Sequence, residues 1–549
     1  MIPFSVLENI AFHLSSDTPG LLPLLLASRE TNRMLCVQNC PQLYARLFRL
    51  HFNIDCITRR LRLPLTDERL AAEFIQRFQA VRRIRLHQFS EDGLRIDLWT
   101  VYMMILESDG ANERLLFTGG ISEFIWELMK HRLGNEYTTH GWPLATEINS
   151  LALWVACLTL SPKQLAAKHP QARDEMHDLL RPLIIAFGRY PVVSTETPTS
   201  SSSSLITTPD NPCDYTGSIP PAGTCEVLYY STSIKMSCPN IYSAAILFAF
   251  LIKQSCLDKP THLPPRAVLQ AMQNTGLAVE DLLPMTQYQT PTVRESCNSL
   301  PLLFSVADNQ FSRSMMHSDD YIRAISDSAP KTFNCTHAYA PGVLTGMWDG
   351  QYMDSPYPVP DLKSFKGRPS EFPNFLSKRP MQFRLREHMD SYPDGNLPTP
   401  SRGSRRPRRR DTPRPISSDV IQASAGPHEL HIPERTQISI ATEASPTSPS
   451  TALTGETQSI HEQMCGAFKY TGNVRFRDGL IVLKREPKRA EESYYGTWIF
   501  QGYLHSRRVI VGRWHSSTSD DGSDRREGVF CMSKRPEVMV RDTSWPARL

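Results

Sequence analysis

The chain lacks the marks of an exported, metal-bound or membrane-spanning protein. Its 12 cysteines are scattered over 549 residues with no C-x-x-C pair. Cys36 and Cys40 are the closest two, and no Cys/His pair follows them at zinc-finger spacing. Structural zinc is therefore not expected. The first residues carry no basic segment followed by an apolar run and a small-residue cleavage site, so no signal peptide is expected. The most apolar stretch, 241–252, is about 12 residues long, whereas a bilayer needs roughly 20. It reads as a buried helix. These absences predict reduced thiols, no membrane partner and an intracellular protein, cytoplasmic or nuclear.

An excess of one charge is missing too. Lys and Arg number 60 against 56 Asp and Glu, for a net charge of +4. That balance gives no strong argument for nucleic acid, which is not expected as a partner. Phosphate-cradling glycine loops, the H-E-x-x-H zinc motif and the G-x-S-x-G nucleophile turn do not occur. The neighbouring carboxylates Glu91-Asp92, Asp319-Asp320 and Asp520-Asp521 lie in polar stretches that read as surface turns, and the 16 histidines show no ligand spacing. No catalytic residue, metal or cofactor is expected.

What the chain has is length, proline and leucine. At roughly 150 residues per domain the length suggests three to four domains. The 43 prolines and the Ser/Thr runs lower that number. Residues 1–60 are leucine-rich and helical, and 61–190 continue with helical periodicity as a connector. Residues 191–224 form a Ser/Thr/Pro linker expected to be disordered. Residues 225–335 look mostly helical, with helices predicted over 241–256 and 264–283. From about 336 the pattern changes to short strands. Met381, Phe383 and Leu385 alternate with polar residues, Val474 and Phe476 precede the Asp478-Gly479 turn, and Val509 and Val511 precede Trp514. The count is about seven strands in 336–390 and 465–540, which suits a sheet that closes on itself. Between them, 391–464 is a largely disordered insertion with six arginines in 402–410. Its residues Arg405, Arg406, Arg408, Arg409 and Arg410 read as a nuclear-import candidate or as a solvated linker.

The opening segment has more apolar residues than three short helices can hide. Pro3 suits a first helical turn, and Val6, Leu7, Ile10 and Leu14 recur at helical spacing. Leu21 to Leu26 begin a second helix and Pro41 a third. Either these helices pack on 61–190, or a helical partner covers the excess face.

The segment resembles an F-box of the kind common in fungi. The resemblance rests on Ile2-Pro3, the apolar run Val6 to Leu14, Leu21 to Arg29, Asn32 to Leu35 and Pro41-Gln42-Leu43-Tyr44 through Asn53. Two later segments are similar to the same group: Ser312-Arg313-Ser314 with His317-Ser318-Asp319-Asp320, and Gly346 to Tyr352. Ser5 stands where F-boxes usually carry Glu, and Asn53 where the fungal group often has Asp. The resemblance implies an α+β multi-domain chain: a three-helix F-box, a helical connector, and an antiparallel β-barrel-like domain, similar to the calycin barrels of some F-box receptors, with disordered insertions. It implies docking to a Skp1-type adaptor, and through it a cullin, by Ile2, Pro3, Val6, Leu7, Ile10, Leu14, Leu22, Leu24 and Leu25. The role implied is a non-enzymatic ubiquitin-ligase subunit that recruits an unidentified protein substrate. Candidates for reading the target are Trp348, Tyr352, Trp498, Tyr503, Arg513 and Trp514. Two rival readings are a cullin-independent F-box scaffold or nuclear interaction protein, and a small-ligand-binding barrel protein.

Overall fold

The computed structural model describes residues 3–16, 21–62, 64–140, 143–185, 224–255, 313–325, 339–354, 378–388, 450–459, 462, 466–490, 496–517 and 526–535. Ile2, the arginine run at 402–410 and the helix predicted over 264–283 lie outside them. The helices and strands described here belong to one compact unit, residues 1–391 with 449–549.

The N-terminal region contains four helices where three were expected: α1 (Phe4–Ser16), α2 (Leu21–Ala27), α3 (Arg29–Leu35) and α4 (Pro41–His51). Ser28 divides the second predicted helix. Its extended backbone and its hydroxyl, which accepts from the Thr31 amide at 3.0 Å, start a new helix. The leucine-rich α4 buries Leu43, Tyr44, Leu47 and Phe48. It packs on α6 (Asp67–Arg85), beyond the short α5 (Asp55–Arg60). Asn53 ties the segment to the next layer: its carbonyl oxygen accepts from the amides of Asp109 at 2.9 Å and Ala111 at 3.0 Å. It thereby satisfies free donors at the start of α8 (Ala111–Thr118), which has no side-chain cap of its own.

The helical region continues through α7 (Glu91–Leu106), α9 (Ile121–His140), α10 (Glu147–Thr159), α11 (Pro162–Ala167) and α12 (Pro170–Ile185). The apolar 241–252 stretch lies in α13 (Ile241–Ser255), buried from Ile241 to Ile252 against α10, α11, α12 and the barrel. Two short helices follow, α14 (Arg313–Met316) and α15 (Ser318–Ile325).

A hairpin of β1 (Thr224–Tyr229) and β2 (Thr232–Ser237) stands in the stretch expected to be mostly helical. Tyr230 and Ser231 make its turn at positive φ, 48° and 58°, without the glycine or asparagine that marks such turns in a sequence. Tertiary contacts hold it. The Tyr230 amide donates to Glu73 at 3.1 Å, and the Tyr230 hydroxyl accepts from Arg77 at 3.0 Å. Arg77 is fully buried and pairs with Glu73 at 2.9 Å and Glu107 at 2.7 Å. Burial pushes the Glu107 carboxyl up, and Arg77 draws it back down.

Eight antiparallel strands close into a barrel: β3 (Gly346–Asp354), β4 (Lys378–His388), β5 (Ser450–Glu456), β6 (Phe468–Arg475), β7 (Leu480–Pro487), β8 (Trp498–His505), β9 (Val509–Ser516) and β10 (Glu527–Lys534). Each pairs with its sequence neighbours, and β10 returns to β3. Strand β5 falls inside the stretch expected to be an insertion. Its Ser/Thr/Gly composition masks a strand in which Thr451 and Leu453 are buried. Gly479, at φ +74°, makes the tight turn after Asp478. Inward residues form an apolar core of their own, among them Trp348, Phe383, Tyr470, Leu483, Phe500, Trp514 and Phe530. Outward residues Val511, Val529 and Cys531 join the core of the helical region.

A buried polar joint fixes the barrel to the helices. Asp320 on α15 accepts from the Ser506 amide at 2.8 Å, His505 Nδ1 at 2.8 Å and Arg323 at 2.5 Å. His317 Nδ1 lies 3.1 Å from the Ser506 hydroxyl, and Arg507 reaches Asp319 at 3.2 Å. Ser506 and Arg507 sit at φ 49° and 53°, a strained turn that the Asp320 carboxylate holds closed. The Asp319-Asp320 pair, expected on the surface, is thus buried and engaged in this joint. The charges of Arg323 and His505 keep Asp320 well below the usual carboxylate range despite burial, while burial lowers His317 to about 4.

Candidate functional site

Among the described residues, two places that break the ordinary partition of polar and apolar groups bear on function. The first is the outer face of α1 and α2. Leu7 and Ala11 turn inward to the core. Val6, Ile10 and Leu14, four residues apart, form a second apolar stripe on the same helix, 46%, 40% and 45% exposed. Leu22 and Leu26 on α2 are also exposed, at 60% and 72%, and Phe4 adds a partly exposed ring. Exposed apolar residues on two neighbouring helices are the pattern of a face that receives another protein. Of the expected docking residues, Pro3, Val6, Ile10, Leu14 and Leu22 are exposed, and Leu24 and Leu25 are half-buried. Leu7 is in the core.

The second place is the barrel lumen. Tyr352, Trp498 and Trp514 come together there. The two indoles stack with ring centres 4.0 Å apart at 11°, and Tyr352 meets both edge-on at 5.4 and 5.6 Å. Gly528 opposite Trp514 makes room for this: a Cβ there would come within 2.6 Å of the indole nitrogen. Trp348 is also in the lumen core, its indole donating to the Leu344 carbonyl at 2.8 Å. Tyr503 and Arg513 do not join this group. Tyr503 packs with the helical core near Arg323, and Arg513 lies over the Tyr242 ring of α13 at 5.7 Å, where burial lowers it to about 10.

Sequence reasoning missed the residue at the centre of the lumen group, Arg485. It sits opposite Trp498 in the β7–β8 ladder. Its guanidinium carbon lies 3.5 Å from the Trp498 ring centre and 4.0 Å from that of Phe468. The side chain is 2% exposed. Desolvation pushes its pKa down, while its polar neighbours Tyr470 and Tyr352 push it up. The signal was present as strand alternation: Ile481 and Leu483 face inward, and Arg485 is the next residue in that series.

A shallow depression of about 390 Å³ between β4 and β5 is lined by Arg384, Arg386, Glu456, Glu462 and Lys488. Its charges serve each other, with Lys488 at 2.9 Å from Glu456 and 3.0 Å from Glu462. Among the described residues there is no cluster of metal-ligating side chains, and no helix is long and apolar enough to cross a membrane. The chain matches no protein-family model, no curated protein and no solved structure.

Proposed function

We propose that this chain is a substrate-recruiting subunit of a Skp1–cullin–F-box type ubiquitin ligase, in which α1 and α2 dock the adaptor and the barrel reads the target. The observation that carries the reading is the set of Val6, Ile10, Leu14, Leu22 and Leu26, left in solvent although α1 has a well-buried inner face. A helical partner laid over that set removes it from water at about 25 cal/mol per Å² of apolar surface. The resemblance of 1–60 to an F-box gives the partner its class. The joint at Asp320 supports the rest, because a rigid link between hook and reader raises the effective concentration of a bound target near the ligase.

The test is co-expression of the full chain with a Skp1-type adaptor and a cullin. The expected result is a stable ternary complex that is lost in Ile10→Lys with Leu22→Lys while the melting midpoint is retained. Adaptor capture that survives both substitutions, or no capture by the unaltered chain, overturns the reading. Recovery of the adaptor without the cullin points to a scaffold instead.

A further inference from the structure

Arg485 carries a positive charge in a lumen where, among the described residues, no carboxylate lies against it. Phe468 and Trp498 both lie against its guanidinium, and a ligand would meet it through its hydrogen-bonding edge. Two donors of that edge, Nε and Nη2, are buried and have no hydrogen-bond acceptor among the described residues. Elsewhere in this chain the same two atoms form a fork that holds a carboxylate. Arg83 grips Asp97 through Nε at 2.6 Å and through Nη2, and Arg475 grips Asp478 through Nε at 2.8 Å and through Nη2. Such paired contacts are the strong form of arginine–oxyanion recognition. Its polar neighbours, Tyr352 and Tyr470, offer it hydrogen bonds, but as neutral phenols they bring no opposite charge.

We propose that the barrel lumen binds the carboxylate of a monoanionic ligand on the Nε–Nη2 fork of Arg485, with Tyr352 and Trp498 lining the site. One buried cation is neutralised by one carboxylate, whereas a dianionic phosphate leaves excess negative charge in a low-dielectric interior. The aromatic lining selects an acid whose remainder is flat or apolar. A free small acid and the terminal carboxylate of a peptide share this chemistry. The inference is independent of adaptor docking.

The experiment uses the full chain with cyclohexaneacetate, 4-phenylbutyrate and decanoate, each against its own amide, and a tryptophan-free tetrapeptide with a free against an amidated C-terminus. Tryptophan fluorescence reports binding, since Trp498 and Trp514 adjoin the site, and the melting midpoint reports linkage. At least one acid should quench and stabilise while its amide does neither, and Arg485→Met should weaken that acid about tenfold or more. Arg485→Lys, which keeps the charge but lacks the fork, should also bind more weakly than the unaltered chain. Response to small acids assigns the ligand to a small molecule, and response to the free-ended peptide alone assigns it to a protein terminus. The proposal fails if acids and amides act alike, if no acid responds, or if Arg485→Met binds the acid as the unaltered chain does. Should Arg485→Met fail to fold, the comparison of acid with amide in the unaltered chain decides.

Discussion

The helical end and the barrel depart from the usual partition in opposite senses. At α1 and α2 apolar side chains face water. In the barrel a guanidinium is closed among aromatic rings. Both arrangements cost free energy in the isolated chain, and a partner can remove either cost: apolar burial for the first, an oxyanion for the second. The comparison teaches that the sign of the anomaly names the class of partner. The exposed stripe can select by shape and area. The buried cation can select by charge and the geometry of two donors.

The largest expected effect breaks the comparison by separating the two ends. Asp320→Ala removes the acceptor for the buried His505 and strained Ser506 amide and for the half-buried Arg323. Loss of about 3–5 kcal/mol is expected, read as a lower urea midpoint. If stability is unchanged, the joint does not hold the barrel to the helices. Acid should act at the same place. With His317 near 4 in the folded chain and about 6.5 unfolded, the unfolded state binds more protons between those values. Stability therefore falls as pH drops from about 6.5 toward about 4, by roughly 3 kcal/mol at most from this group. His317→Gln should flatten that slope in urea titrations across the range. Asp320, depressed in the fold, adds a further loss only as pH falls below about 4.

Smaller effects sharpen the contrast. Leu7→Ala should cost about 2–3 kcal/mol, because the side chain is in the core. Arg485→Met should leave the unliganded barrel about as stable or raise it by about 1 kcal/mol, since a buried charge is removed without orphaning a carboxylate. A loss of several kcal/mol would make Arg485 a structural prop. Smallest of all, Ile10→Lys should shift stability by no more than about 0.5 kcal/mol. A chemical-denaturation series over the three variants would show whether inner face, lumen and outer face behave in that order.

Much of the architecture was legible in the sequence. Alternation at Met381, Phe383 and Leu385 marked β4, and the Asp478-Gly479 turn marked the β6–β7 hairpin. Strand β5 was not, because Ser, Thr and Gly look like linker until a neighbouring strand pairs with them. The site was half legible. Val6, Ile10 and Leu14 were visible by spacing, yet the same spacing admitted Leu7, and only packing against α4 decides which stripe turns inward.

By itself, then, the sequence determined the apolar helices, most of the strands and the absence of recognised enzyme motifs, since periodicity and turn chemistry are local. Tertiary structure alone decided the glycine-free hairpin turn at Tyr230-Ser231, the burial of Asp319-Asp320 and the placement of Arg485 against Phe468 and Trp498. Each of these depends on groups far apart in the chain, and a charged residue next to a strand end declares its surroundings only when the barrel closes around it.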